Sequence, residues 1–184
     1  VKVVLSGEGA DELFAGYSYY KQLDISDDVM QDELRRSIST LHNINLQRAD
    51  RLTMAHSIEA RVPFLDRKTI EMSMQIPARY KLYGNPPVEK WILRRAVEDF
   101  LPDEITWRKK EQFDEGSGIV DFIEQAIQEK FSSQEARLHK QQHPNVELRS
   151  NEECYYHKLF MEVFEHPQAI MNNIGRWAER PDYQ

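Results

Sequence analysis

The residues best suited to chemistry lie at the start of the chain, where the loop SGEGADE (residues 6–12) places two glycines among three carboxylates. The apolar, β-branched run before it predicts a buried strand over residues 2–5. Leu13, Phe14 and Tyr17 follow at helical spacing, which predicts a helix after the loop. Because open α/β sheets bind ligands at the carboxyl ends of their strands, this loop is the first candidate site.

The glycines and the carboxylates of the loop favour different ligands. A glycine-containing loop before a helix attracts phosphate, because free N–H groups and the helix dipole both favour an anion. Glu8, Asp11 and Glu12 would repel a bare phosphate, but Mg²⁺ binds one or two carboxylates together with substrate phosphate oxygens. The loop therefore predicts a site for a magnesium-bound polyphosphate. The alternative interpretation is a capped helix whose acidic first turn matches its dipole.

Three blocks of sequence together resemble one enzyme family. They are SGEGADELFAGY (residues 6–17), RADRLTMAHSIEARVPFLDR (residues 48–67) and WRKKEQFDEGSG (residues 107–118). All three are similar, in the same order, to blocks of the glutamine-dependent asparagine synthetases, in the ATP-using synthetase domain. The resemblance covers residues 1–131 well and the remainder weakly.

The resemblance implies a reaction and roles for five residues. In this family ATP converts the side-chain carboxylate of aspartate into an acyl-adenylate and releases pyrophosphate, and glutamine-derived ammonia then attacks the acyl carbon. ATP and Mg²⁺, which neutralises the pyrophosphate, are the implied cofactors. Ser6 and Gly7 match nucleotide contacts, and Asp11 matches the carboxylate near magnesium. Glu8 and Lys110 match residues that act in adenylation, the lysine by stabilising developing negative charge.

The fold that the family implies is an α/β domain of the adenine nucleotide alpha hydrolase type, which needs several parallel strands. This sequence predicts a mostly α-helical chain with one or two short strands, residues 2–5 and an extended piece around residues 62–65. The family's Ser-Gly-Gly-x-Asp-Ser loop and the amino-terminal cysteine of its glutaminase domain do not occur in it. We therefore expect one partial domain over residues 1–184, the carboxy-terminal part of a synthetase domain, with a variable helical region at residues 132–184. We expect this chain to be inactive alone.

Helical spacing of apolar residues predicts several helices downstream of the loop. They cover residues 29–46, 88–100, 119–131 and 152–164. Asp66 is placed to cap a further helix that ends before Pro77. Residues 132–150 are polar and poorly patterned, so no helix bounds are assigned within them.

Composition limits the class of function. The chain has 184 residues, is 40% hydrophobic and carries a net charge of -7, which suits a soluble domain. A nucleic-acid surface would need clustered positive charge, so no nucleic-acid partner is expected. No apolar run reaches the roughly 18 residues of a membrane span, and no secretory signal is recognised, so we expect a cytoplasmic location without a membrane partner. Cys154 is the only cysteine and is expected to be a buried structural thiol.

Several polar residues have no single role on the sequence alone. Arg61 would fit a substrate carboxylate through its bidentate fork, or would pair with Glu59 or Asp66 at the end of a helix. Arg48 and Asp50 are equally open.

Other polar positions depart from the family or lack partners. Some family members carry an aspartate near the position of Asn45, so a supporting carboxylate there is in doubt. His42 and His56 have no third ligand at metal-binding spacing and are expected to be ordinary core or surface histidines.

Two other functions stay open. β-lactam synthetases and related amidotransferases use the same fold with another acceptor, although Glu8 and the intact Lys-Glu-Gln-Phe of residues 110–113 favour asparagine synthetase. A helical interaction module without catalysis is the non-enzymatic alternative. An incomplete sheet leaves strand edges that pair with another chain, so we expect self-association or recruitment of a missing amino-terminal half.

Overall fold

A short parallel sheet and a series of helices make up the computed structural model, which describes residues 1–23, 25–110 and 119–171. The described residues form two compact units, 1–110 and 119–171. The prediction of a mostly helical chain with short strands is confirmed, whereas one partial domain over residues 1–184 stays a prediction. Within the described ranges, no helix is both long and apolar enough to cross a bilayer.

The elements of the first unit surround the sheet. Strands β1 and β2 span Val3–Leu5 and Glu59–Arg61. Helices α1 to α7 span Ala10–Phe14, Asp27–Thr40, Asn45–Ala55, Arg67–Gln75, Ala78–Lys81, Trp91–Val97 and Asp103–Thr106. In the second unit, helices α8 to α11 span Ile119–Lys130, Ser133–Gln142, Asn151–Val163 and Pro167–Ile170.

The sheet pairs β1 with β2 in parallel, with Val3 opposite Glu59 and Leu5 opposite Arg61. The predicted strand at the start of the chain is therefore confirmed. Its predicted burial is wrong, because Val3 and Leu5 are 41% and 76% exposed. Among the described residues β2 is its one neighbouring strand, so much of its apolar surface stays in contact with solvent.

The second strand lies earlier than predicted. An extended piece was expected at residues 62–65, but Pro63–Leu65 form a single 3₁₀ turn, in which the Leu65 N–H donates to the Val62 carbonyl at 2.9 Å. Pro63 lacks an N–H group and cannot take part in a strand ladder from both sides. The pairing therefore ends at Arg61.

Two predicted helices end early for local reasons. Helix α1 stops at Phe14 and does not reach Tyr17, because Ala15 adopts a left-handed conformation with φ of 55°. The expected helix over residues 29–46 is interrupted after Thr40 by a 3₁₀ turn, and α3 then begins at Asn45.

The predicted cap of α4 is confirmed. The Asp66 carboxylate accepts a hydrogen bond from the Lys68 N–H at 2.9 Å, and α4 ends at Gln75, before Pro77. Such a cap satisfies one of the free N–H groups of the first turn.

The core of the first unit joins α1, α2 and α5 through buried apolar residues. They are Ala15, Tyr20, Met30, Leu34 and Ala78. Because α1 and the turn after it are packed against this core, the end of the loop that joins α1 is held in a fixed position.

The second unit has its own core, built from three consecutive helices, α8, α9 and α10. Ile127, Phe131, Ala136 and Cys154 form it, and Cys154 is fully buried, as predicted. Helix α9 lies in the polar stretch for which no helix bounds were assigned from the sequence. It begins with a capping box in which Ser132 and Glu135 each bond the other's backbone N–H.

Candidate active site

The loop between β1 and α1 is a tight turn at the carboxyl end of the strand. The Ser6 hydroxyl accepts a hydrogen bond from the Glu8 N–H at 3.3 Å. The Gly7 carbonyl accepts one from the Ala10 N–H at 3.2 Å. These two bonds fix the path of the loop, so the Glu8 side chain leaves it in a defined direction.

The two glycines of this loop have different surroundings. Gly9 has a φ of 91°, and a Cβ on it would lie 2.2 Å from Leu65 Cδ2, so only glycine fits there. A Cβ on Gly7 would meet nothing within 4 Å. Gly9 therefore shapes the turn, whereas the backbone at Gly7 faces open space where a ligand can approach.

Asp11 lies between two lysines that come from distant parts of the sequence. Its Oδ1 is 2.9 Å from Lys90 Nζ, and its Oδ2 is 3.6 Å from Lys110 Nζ. The three side chains are only 19–28% exposed, so water screens their charges less than at an open surface. The structure therefore brings together two predicted residues, Asp11 and Lys110, and adds Lys90.

Gly16 makes the contact between Asp11 and Lys90 possible. A Cβ at this position would lie 1.9 Å from Asp11 Oδ1 and 2.4 Å from Lys90 Cε. Lys90 is itself held by its N–H, which donates to the Phe14 carbonyl at 3.1 Å. The ion pair therefore occupies the space that any larger residue at Gly16 would fill.

Glu8 has a different cationic partner. Helix α3 brings Arg48 Nη2 to 3.2 Å from Glu8 Oε1. Arg48 is 59% exposed and Glu8 is 21% exposed, so this pair contributes little to stability. The pair does place the Arg48 guanidinium beside the loop. The sequence alone had left Arg48 without a single role.

Glu12 points away from the loop surface, which corrects the expectation that three carboxylates share it. The side chain is 3% exposed and accepts hydrogen bonds from the Tyr17 hydroxyl and, at 3.1 Å, from Asn45 Nδ2. Burial raises the pKa of Glu12, and the nearby charges of Asp11 and Glu8 raise it further against the opposing effect of the Tyr17 bond. Asn45 thus supplies a donor that an aspartate could not supply when ionised.

Arg94 holds the segment that carries Lys110. Its Nη1 donates to the carbonyl of Thr106 at 2.5 Å and to that of Arg108 at 3.1 Å. Its Nη2 lies 2.6 Å from Glu89 Oε1, and its Nε donates to the Glu89 carbonyl at 2.9 Å. A guanidinium forms this many bonds at once because its donors are fixed in one plane. These bonds restrain the backbone just before Lys110, which is two residues after Arg108.

Glu89 is the buried anion of this arrangement. It is 4% exposed and pairs with Lys21 as well as with Arg94. Burial alone would raise the pKa of Glu89, but hydrogen bonds from Lys21 and the backbone, with the charges of Lys21 and Arg94, together hold it below its ordinary value. Glu89 therefore stays ionised and keeps Arg94 in place.

The remaining predicted residues have simpler surroundings. Arg61 Nε lies 2.7 Å from Glu59 Oε1 in an exposed pair, which matches the alternative of pairing with Glu59, although both residues lie in β2 and not at the end of a helix. His42 and His56 are exposed. Residues 111–118, which complete the third resembling block, lie outside the described residues, as do residues 172–184.

Sequence reasoning missed Gly16, Lys90 and Arg94. The stretch from Glu89 to Arg95 was interpreted only through its apolar spacing, although it carries four charges, Glu89, Lys90, Arg94 and Arg95. That density of charge beside an apolar helix face was the available signal for a polar network.

The donor set fits magnesium bound to a phosphate, but does not make a cage from protein ligands alone. In the described part of the chain, the carboxylates of the loop do not form a group of three converging metal ligands. Mg²⁺ usually takes one or two carboxylates and completes its shell with water and substrate oxygens. Asp11 matches that pattern, since only a lysine at 3.6 Å contacts its Oδ2 in the ion pairs described.

Carboxylates and lysines that meet at the carboxyl end of a parallel strand are typical of enzymes that act on phosphate-bearing substrates. The family model for asparagine synthase matches residues 1–30 and 24–181. This chain belongs to the asparagine synthase family.

Individual relatives agree with this assignment. The chain is 35% identical over its whole length to a probable glutamine-hydrolysing asparagine synthetase of Schizosaccharomyces pombe, of which it covers 34%. It is 36% identical over 92% of its length to asparagine synthetase B of Escherichia coli, of which it covers 31%. It is also 36% identical over 89% of its length to asparagine synthetase 1 of Arabidopsis thaliana, of which it covers 29%. The chain thus spans about a third of the length of these relatives.

Proposed function

We propose that this chain forms the carboxy-terminal part of the synthetase domain of a glutamine-hydrolysing asparagine synthetase. Within the complete enzyme, the reaction converts aspartate, ATP and glutamine-derived ammonia into asparagine, AMP and pyrophosphate. The observation that carries the proposal is the position of Asp11 between Lys90 and Lys110. It joins the strand-to-helix loop to the downstream lysine block, so the two most specific motifs of the sequence form one charged site.

The loop residues bind the nucleotide in this proposal. Ser6 and Gly7 lie against the phosphates, and the open space beside Gly7 lets the backbone approach them closely. Helix α1 has only five residues, so its dipole is a small contribution. Cationic side chains must therefore provide most of the attraction for the phosphates.

Three cations flank the two half-buried carboxylates of the loop, Glu8 and Asp11. Lys90 and Lys110 flank Asp11, and Arg48 flanks Glu8. When ATP transfers its adenylyl group to aspartate, negative charge grows on the phosphate oxygens and on the departing pyrophosphate. Lys110 stabilises that charge, and Lys90 keeps Asp11 oriented, in agreement with the general weight of preorganised electrostatics in catalysis.

Asp11 is the residue that would hold Mg²⁺. The ion supplies charge neutralisation for pyrophosphate when bound. Glu8 supports formation of the acyl-adenylate, the role that the family resemblance implies for it. Its contact with Arg48 restrains the carboxylate before the substrates arrive.

The remaining part of the domain would complete both the sheet and the site. The family fold, of the adenine nucleotide alpha hydrolase type, has further parallel strands, and the exposed side chains of Val3 and Leu5 provide an apolar surface for them. The first pyrophosphate loop would come from that part as well, and ammonia would come from the separate glutaminase domain. Residues 1–184 by themselves are expected not to form the acyl-adenylate. A cytoplasmic location stays a prediction.

Exchange of labelled pyrophosphate into ATP by the full-length synthetase tests this function. We expect exchange that requires Mg²⁺ and aspartate, because the acyl-adenylate forms reversibly before ammonia attacks. Exchange that depends instead on a larger carboxylic acid, with none for aspartate, would support the alternative of a β-lactam synthetase or a related amidotransferase. No exchange with any acid would contradict the proposal.

A further inference from the structure

The second unit contains a cluster of three histidines that the sequence analysis did not single out. His139 lies in the last turn of α9, and His143 follows the last residue of this helix, with its N–H donating to the His139 carbonyl at 3.1 Å. His157 comes from α10, which packs against α9 around the buried Cys154. The spacing H-x₃-H was visible in the sequence, but the third histidine is brought to it only by the fold.

The three imidazole rings are in mutual contact. Their centroids are 4.5 Å apart for His139 and His143, 4.8 Å for His143 and His157, and 5.0 Å for His139 and His157. His139 Nε2 and His157 Nδ1 form a hydrogen bond of 2.8 Å. One ring nitrogen from each histidine lies within 4.8 Å of one from each of the others. The nitrogens therefore converge on a single small volume.

The environment keeps these rings suited to ligation. His139 and His157 are each 8% exposed, and His143 is half-buried. A neutral imidazole offers a lone pair, which is the form that binds a metal. The half-buried edge at His143 leaves access to solvent for a water molecule.

We propose that His139, His143 and His157 bind one divalent transition metal ion, with Zn²⁺ as the best match. Imidazole nitrogens suit Zn²⁺, which takes three histidines and a water molecule in tetrahedral geometry. With Zn–N bonds of about 2.0–2.1 Å, the ligand nitrogens would be about 3.3 Å apart. To reach this spacing, the 2.8 Å contact of His139 with His157 must open by about half an ångström, and His143 must move inward by up to about 1.5 Å.

The positive charge of Lys158, close to the three histidines, would oppose binding of a cation. Lys158 is the nearby cation, but its ammonium lies over the Phe131 ring, 5.4 Å from the centroid, and 4.0 Å from the carboxylate of Glu162. Both contacts offset part of its charge. Because the ligands come from α9 and α10, a bound ion would fasten these two helices together and stabilise the second unit.

Zinc titration of the untagged chain tests the proposal, with a chromophoric chelator as competitor. We expect one Zn²⁺ per chain and an increase in the melting temperature with zinc, since the ion binds the folded state. His143→Ala should weaken binding by at least about 10-fold and abolish the zinc-dependent increase in melting temperature. His166→Ala, which removes an exposed histidine of the same unit, is the matched control and should leave both unchanged.

Three outcomes would overturn the site. These are no stoichiometric zinc binding by the wild-type chain, equal affinity in His143→Ala, or equal losses in both variants. If His143→Ala fails to fold, X-ray absorption at the zinc edge of the wild-type chain decides instead. A shell with about three imidazole nitrogens near 2.0 Å supports the site, and any other ligand set contradicts it.

Discussion

The position of the Asp11 carboxylate depends on the absence of a Cβ atom at Gly16 as much as on the lysines beside it. A methyl group there would overlap Asp11 Oδ1 and Lys90 Cε, at 1.9 Å and 2.4 Å. Lys90 can bend away, but Asp11 is short and belongs to a packed helix. A substitution at Gly16 must therefore break the pair of Asp11 and Lys90.

We predict that Gly16→Ala lowers the free energy of unfolding of the chain by about 1–3 kcal/mol. Gly7→Ala is the matched control, because its Cβ would meet nothing within 4 Å, and its effect on stability should be small. Urea denaturation of the two variants and the wild type measures both. Equal losses for the two substitutions would contradict the packing described for Gly16.

Lys81 is a buried cation without a compensating anion in hydrogen-bonding reach. It is fully buried, and in the described part of the chain its Nζ has no hydrogen-bond acceptor. Burial lowers the pKa of Lys81 to about 8 from 10.5, and the charge of Arg35 adds to this. The group is therefore expected to reduce stability at neutral pH.

Replacing Lys81 with methionine should stabilise the chain at pH 7 by about 2 kcal/mol. Between about pH 8 and pH 10.5 the unfolded chain binds the proton that the folded chain has released. The free energy of unfolding contributed by Lys81 therefore rises with pH in this window, and the penalty is complete below it. Denaturation of both proteins from pH 7 to pH 10.5 should show the advantage of Lys81→Met shrinking as pH rises. A constant difference, or a destabilised variant, would contradict the buried charge.

At the level of elements, α6 and α7 hold the downstream lysine through Arg94. This arginine bonds the carbonyls of Thr106 and Arg108 and the carboxylate of Glu89 at the same time. A lysine has the charge but not the planar set of donors. The position of Lys110 therefore depends on a guanidinium at residue 94.

Arg94→Lys should lower the free energy of unfolding by about 2 kcal/mol, because buried acceptors lose their donors. The matched control is Arg95→Lys on the same helix, whose exposed pair with Glu98 should contribute less than about 1 kcal/mol. In the full-length synthetase, Arg94→Lys should also reduce pyrophosphate exchange, as expected if it displaces Lys110. Equal stability of the two variants would contradict the stabilising role of the Arg94 hydrogen bonds.

The sequence predicted those elements whose causes are local. The strand before the loop, the Asp66 cap and the helix after Ser150 follow from composition and spacing within a few residues. The candidate site in the loop could also be proposed from the sequence, because the residues of its motif are contiguous. The bounds of helix α9 were not predicted, although its capping box, Ser132 and Glu135, is a local signal.

Other features depend on contacts between distant residues. The left-handed Ala15 that ends α1 leaves no trace in composition, because alanine favours helices. The inward orientation of Glu12 depends on Asn45, which is 33 residues away. Lys90 and Arg94 resemble ordinary helix charges until the fold places Asp11 and the 106–108 backbone beside them. Their roles therefore required the structure.

For the whole molecule, the exposed sheet predicts association. Strand β1 has one neighbour in the described ranges and carries the exposed side chains of Val3 and Leu5. An edge of this kind pairs with other strands. In the proposed synthetase the rest of the domain would cover this edge, and a second copy can do so when residues 1–184 are alone.

We therefore expect the isolated chain to self-associate in light scattering at micromolar concentration. Leu5→Lys should shift it towards the monomer, because charge on an edge strand opposes pairing. Leu138→Lys, at an exposed apolar position of the second unit, should leave the association unchanged. A monodisperse wild-type monomer would contradict this expectation.

Lys110 and Lys109 are adjacent cations with different surroundings. Replacing each of them tests the proposed site at Asp11 and Lys110. Lys110 lies 3.6 Å from Asp11, whereas Lys109 is exposed to solvent. Aspartate-dependent exchange of pyrophosphate into ATP should be measured for the full-length synthetase and for Lys110→Ala and Lys109→Ala. We predict a loss of about 100-fold or more for Lys110→Ala and near-normal exchange for Lys109→Ala. Equal activity of the two variants would contradict a synthetase site built on Asp11 and Lys110.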